Sequence, residues 1–131
     1  MPYAFSVSDV VPTSPDDAYD AWMASDRHAA MTGDSAKIDA RVGGAFEAGD
    51  GYISGTTLDL SPGHRIVQSW RTTDFAAEDP DSQIEVLFEP VAGGTRVTLH
   101  HTSIPDGQSG YEDGWRDYYF APMKDYFARQ G

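Results

Sequence analysis

The chain has no cysteine, which excludes disulfides, thiol chemistry and thiolate metal ligation. Lysine is nearly absent as well, occurring only at Lys37 and Lys124. No stretch approaches the roughly 20 apolar residues of a membrane-spanning helix. The opening Met1-Pro2-Tyr3-Ala4-Phe5-Ser6 lacks the basic start and long apolar run of a secretory signal. A soluble, cytoplasmic protein is the expectation. Basic residues are scarce, 9 against 21 acidic ones, for a net charge of −12. Such a field repels phosphate backbones and anionic lipid, so neither nucleic acid nor a membrane is expected as a partner. Scattered acidity reads first as a solubilising surface and second as a docking face for a basic partner.

Catalytic signatures are equally sparse. There is no Gly-x-Ser-x-Gly elbow, and Gly43-Gly44 and Gly93-Gly94 suit hairpin turns rather than a phosphate cradle. His-x-x-x-His spacing is missing, and the many carboxylates form no distinctive acid–base pair. No catalytic residue, metal or cofactor is therefore expected, and the expected role is binding rather than chemistry. No repeat or linker divides the 131 residues, so residues 1–131 are read as one domain with a real core.

What is present is strong patterning. Tyr3 to Val10 alternates as a strand. Ser14-Pro15-Asp16-Asp17 is a helix start: Ser14 caps, Pro15 suits the first turn, and Asp17 stands where a capping box wants an acid. A second short helix is expected from Asp26 to Met31, stopped by Gly33. From there the chain reads as strands and turns: Ala36 to Val42, Ala45 to Ala48, Tyr52 to Leu60, Arg65 to Thr72, Gln83 to Glu89 and Thr95 to Thr102. Their short connections make them antiparallel neighbours.

The last third is the most informative. Ser109 and Glu112, three apart, form a capping box for a final helix. Trp115, Tyr119, Met123 and Tyr126 or Phe127 recur at spacings of four or three and share one stripe. Pro122 lies inside this helix, where it removes a donor and crowds the Tyr118 carbonyl, so a kink is expected. Arg116 is expected in a surface ion pair. A long aromatic helix lying across a curved sheet is a way to enclose a cavity.

In order along the chain, Val42-Gly43-Gly44-Ala45-Phe46, Leu58-Asp59-Leu60-Ser61-Pro62, Ile66-Val67-Gln68-Ser69-Trp70-Arg71, Gly94 to Thr102 and Gly114-Trp115-Arg116 resemble the START-like (SRPBCC, helix-grip) superfamily. Within it they resemble the family homologous to the activator of the heat-shock protein 90 ATPase. The resemblance implies an α+β fold. A curved antiparallel sheet of about six or seven strands would wrap around a long C-terminal helix, with two short helices after the first strand. It also implies a choice of functions, since the superfamily includes carriers, receptors, cyclases and chaperone helpers. The full activator, by the same resemblance, engages its chaperone with an additional N-terminal domain, for which this chain has no room. The family commonly has a tryptophan near the end of the second short helix; Ala29, Ala30 and Met31 stand there instead, which would reshape the cavity mouth.

The expected function is binding of a small apolar ligand between sheet and C-terminal helix, as carrier or sensor. The alternatives are a chaperone-associated interaction module and a cyclase-like enzyme. The expected cavity residues are Trp22, Met31, Phe46, Gln68, Trp70, Phe88, His101, Trp115, Tyr119 and Met123. His100 and His101 point to opposite faces and cannot share a metal; His101 faces inward with Val97 and Leu99. Gln68 shares the inward parity of Ile66 and Trp70. Gln68 and His101 are thus the candidate polar anchors. His28 and His64 are expected on the surface. The oligomeric state is left open between monomer and homodimer.

Overall fold

A computed structural model describes residues 3–108 and 110–130. After strand β1 (Tyr3–Val11) come helices α1 (Pro15–Met23) and α2 (Ser25–Thr32), then strands β2 (Ala36–Ile38), β3 (Ala45–Ala48), β4 (Ile53–Ser61), β5 (Arg65–Thr72), β6 (Ser82–Val91) and β7 (Gly94–Ile104). The chain closes with helix α3 (Tyr111–Trp115), a π-helical segment (Arg116–Phe120) and helix α4 (Ala121–Gln130). The seven strands form one antiparallel sheet in the order β1-β7-β6-β5-β4-β3-β2.

Local chemistry explains the two short helices. Ser14 caps α1, its hydroxyl oxygen accepting from the Asp17 N–H at 3.2 Å, with Pro15 in the first turn. Asp17 does not reach back to complete the box. Its carboxylate accepts from Thr13 Oγ1 at 2.7 Å and pairs with Arg27 at 2.9 Å. Arg27 in turn donates to the Tyr126 hydroxyl at 3.2 Å, so one guanidinium ties α1, α2 and α4 together. Gly33 ends α2 at φ +80°, a conformation glycine adopts without steric cost. The strand expected from Ala36 to Val42 stops at Ile38, because the chain turns: the Asp39 N–H bonds to Ala45 O and Gly43 takes φ +85°.

Strand alternation sets the inner face. Ile66, Gln68 and Trp70 of β5, Ile84, Val86 and Phe88 of β6, and Val97, Leu99 and His101 of β7 are all buried. Trp22, Met31, Trp115, Phe120, Met123 and Phe127 from the helices close over that face. Two strands must pass very close beside Phe46. A Cβ on Gly55 would lie 1.9 Å from Ser69 O and 2.7 Å from Phe46 Cε1, which only glycine avoids.

The final helix answers Pro122 with a widened turn. Proline lacks the N–H that would bond to the residue four back and presses on that carbonyl. The turn before it is π-helical, the Ala121 N–H bonding to Arg116 O five residues back. Tyr119 and Phe120 both turn inward there, while Tyr118 is left 73% exposed. The helix begins at Tyr111 with Gly110 as its N-cap; Ser109, half of the expected capping box, lies outside the described residues. Arg116 pairs with Glu112 at 2.9 Å, one turn back.

Candidate functional site

The core holds two hydrogen-bonded histidines, His101 on the inner face of the sheet and His28 on α2, and both are fully committed. The Trp115 indole N–H donates to His101 Nδ1 at 3.1 Å. Indole is a donor only, so the proton of His101 sits on Nε2 and is donated to Ser82 Oγ at 2.8 Å. Ser82 then donates to Trp70 O at 2.6 Å. Burial without a countercharge lowers the His101 pKa to about 3, so the ring is neutral. Around it, Trp70 approaches edge-on at a centroid distance of 4.6 Å and Trp115 at 6.0 Å.

His28 is a correction to the sequence reading. It is 4% exposed, because α2 packs beneath the C-terminal helix, whose Tyr119 covers it. Its Nδ1–H donates to Trp22 O at 2.8 Å, and its Nε2 accepts from the Tyr119 hydroxyl at 3.0 Å. Burial lowers the His28 pKa, partly opposed by the bond to Trp22, and burial raises that of Tyr119. His64 is exposed, as expected.

The space directly between sheet and helix is nearly filled. Trp22, Phe46, Gln68, Trp70, Trp115 and Tyr119 surround a void of about 10 Å³. A single water needs about 10–15 Å³, so no organic ligand fits there without movement. Gln68 donates to Thr57 Oγ1 at 3.2 Å and is satisfied by the protein itself. Phe88, His101 and Met123 are packed in the core, and Met31 borders a separate recess between α2 and α4.

Room opens one layer further out. A recess of about 210 Å³ lies between the start of β4, Trp70 of β5 and the first half of the C-terminal helix. Tyr52, Ile53, Trp70, Tyr111, Trp115, Tyr118 and Tyr119 form most of its wall, with Gly110 and Gly114 leaving space. A second recess of about 380 Å³ shares Tyr52, Ile53, Tyr118 and Tyr119 with it and extends towards Thr32 and Asp34. Of the ten residues expected from sequence, Trp70, Trp115 and Tyr119 line this groove.

Polar groups at the rim are tied down. The Tyr52 hydroxyl donates to Asp74 at 2.6 Å, and burial followed by that carboxylate raises its pKa to about 12. The Tyr111 hydroxyl donates to Gln108 Oε1 at 2.7 Å and lies 2.9 Å from Thr72 Oγ1. The phenols of Tyr52 and Tyr119 thus remain protonated at neutral pH. Among the described residues no three His, Asp or Glu side chains converge as a metal site. No helix of the described residues is long and apolar enough to cross a membrane.

Tyr52, Tyr111 and Tyr118 were missed in the sequence. Tyr111 had a signal: it stands four residues before Trp115 and continues the Trp115–Tyr119–Met123 stripe by one turn. Tyr118 had a weaker one, a bulky aromatic off that stripe on an otherwise polar face.

Sheet topology, the two helices after β1 and the closing helix define a START-like, helix-grip α+β domain. Residues 12–128 match the family model described as Activator of Hsp90 ATPase homolog 1-like protein, and the chain belongs to that family. It is 35% identical over 106 residues to the activator of 90 kDa heat shock protein ATPase homolog of Dictyostelium discoideum, a match covering 79% of this chain and 27% of that one. The chain thus spans about a quarter of the length of that curated relative. Among solved structures, an HSP90 activator from Plasmodium falciparum superposes with a TM-score of 0.85 at 23% identity, over 95% of this chain and 96% of that one. A protein from Chromobacterium violaceum superposes with a TM-score of 0.77 at 26% identity, over 97% and 98% of the two chains.

Proposed function

We propose that this chain binds a small apolar ligand, as a carrier or sensor, in the open groove between the start of β4, the end of β5 and the C-terminal helix. The observation that carries this reading is the aromatic recess of about 210 Å³, continuous in its walls with one of about 380 Å³. Small-molecule sites are concave and mostly apolar, with few polar groups, and span about 300–1,000 Å³ for drug-sized ligands. The first recess alone suits a ligand of about one ring, and the two together a larger one. The filled interior behind Trp70 and Trp115 supports a rigid back wall rather than a buried container.

Gly114 gives a direct test. A Cβ there would meet only Tyr118 Cδ2, at 3.9 Å, so the backbone tolerates a side chain and that side chain enters the groove. Native mass spectrometry of gently purified protein is expected to show a co-purified apolar compound, or a hydrophobic dye is expected to bind. Gly114→Phe should abolish either while its circular dichroism stays that of the parent. Undiminished binding in Gly114→Phe removes the groove from consideration.

A second reading, contact with an Hsp90-type chaperone, is favoured by the family match and by the names of the relatives. It does not need the groove. A rise in the chaperone's ATPase turnover on adding the parent and Gly114→Phe equally would support it; unchanged turnover counts against it.

A further inference from the structure

We infer that the ligand of this groove carries, on its apolar or aromatic body, one cationic group, an organic ammonium; the inference rests on the groove reading above. Three observations converge on that chemistry. The first is the wall. Six aromatic side chains, Tyr52, Trp70, Tyr111, Trp115, Tyr118 and Tyr119, border one recess, and among the described residues no basic one borders either. Aromatic faces attract a cation within about 6 Å of the ring centroid, and groups of such rings recognise quaternary ammonium ions.

The second is where the polar hydrogens go. Tyr52 donates to Asp74, Tyr111 to Gln108, Tyr119 to His28 and Trp115 to His101. Four of the six wall residues therefore have their donors engaged within the protein. A carboxylate or phosphate ligand needs donors, and these four offer it none. An alkylated ammonium needs no acceptor geometry, only surface and negative potential.

The third is charge. Among the described residues, Asp34 is the one charged residue on the walls of the two recesses. It is exposed, its Oδ1 accepts from the Ser35 N–H at 2.9 Å, and among the described residues no basic side chain pairs with it. Asp74 adds a second carboxylate at the rim through Tyr52. Arg116, next to Trp115 in the chain, is turned to Glu112 at 2.9 Å and Asp113 at 3.6 Å. With a net charge of −12, the protein's field draws cations towards this mouth and repels anions.

The test is a tryptophan-fluorescence titration of the full chain with three probes of similar size: benzyltrimethylammonium, its neutral isostere neopentylbenzene, and phenylmethanesulfonate. The ammonium is expected to bind roughly ten-fold more tightly than the neutral isostere. That advantage should shrink as sodium chloride is raised, and by roughly three-fold in Asp34→Asn. Tyr118→Leu should weaken the ammonium by more than it weakens neopentylbenzene, so that the preference between the two falls. Equal or tighter binding of the neutral probe or of the sulfonate overturns the cationic assignment and leaves the groove standing. If no probe binds while a hydrophobic dye binds the parent and not Gly114→Phe, the cationic assignment falls alone; dye binding undiminished in Gly114→Phe removes the groove as well.

Discussion

His101 shows how a residue that looks functional can be a part of the frame. It sits on the inner face in the middle of a hydrogen-bonded chain, from Trp115 through His101 and Ser82 to Trp70 O. Its neutral form is the folded form, since burial lowers the pKa to about 3 from the ordinary value of 6.5. Between those pH values the unfolded chain binds more protons than the folded one. The stability contribution is complete above about pH 6.5 and is lost as pH falls towards 3, by up to about 1.4 kcal/mol per pH unit. His28, also lowered by burial, acts in the same direction. His101→Asn keeps one acceptor for Trp115 and one donor for Ser82 but cannot titrate. Urea unfolding of this variant between pH 4 and 6 should show a pH slope shallower by about one proton; an unchanged slope would mean that His101 is not the group responsible. The inward direction of His101 was legible from strand parity alone. The burial of His28 was not, because a histidine in a short, mostly polar helix carries no mark of the C-terminal helix that later covers it.

At the scale of elements, most boundaries follow from a few local devices. Ser14 and Pro15 open α1, Gly33 closes α2, and alternation fixes which strand residues face inward. The C-terminal helix is where local and global preferences conflict. Pro122 predicts a break, yet the amphipathic stripe on either side demands continuity. A π-helical turn satisfies both and leaves Tyr118 pointing into the groove region. Gly114 is the other weak point of that helix, and nothing in its own backbone conformation requires glycine. Gly114→Ala is expected to stabilise the protein by about 0.5–1 kcal/mol, as a gain in helix propensity without a clash. Chemical denaturation measures this. A loss of stability would show that the contact with Tyr118 is tighter than 3.9 Å implies.

The whole molecule is shaped by its charge. Among the described residues, seven basic side chains already sit in ion pairs, with Asp17, Asp39, Asp59 and Glu85, Asp81, Glu89, Glu112 and Asp113, and Asp9. Such exposed pairs contribute about 0–1 kcal/mol each. The remaining carboxylates repel one another over a screening length of about 30 Å at 0.01 M salt and about 10 Å at 0.1 M. The midpoint of thermal unfolding should therefore rise by several degrees, roughly, between 10 mM and 500 mM sodium chloride. A flat or falling midpoint would show that the surface pairs outweigh the self-repulsion.

From the sequence alone came the order of the elements, the antiparallel pairing and the inward parity of β5 and β7. These are written in periods of two and four residues and in the residues that cap and turn, all of which act between near neighbours; the family came separately, from the resemblance of motifs in order along the chain. Only the tertiary structure decided that the centre is full, that Gln68 and His101 answer to Thr57, Ser82 and Trp115, and that the open space lies outside them, beneath Tyr52 and Tyr118. A void is what remains when side-chain volumes are subtracted from the distance between helix and sheet, and no short stretch of sequence carries both quantities.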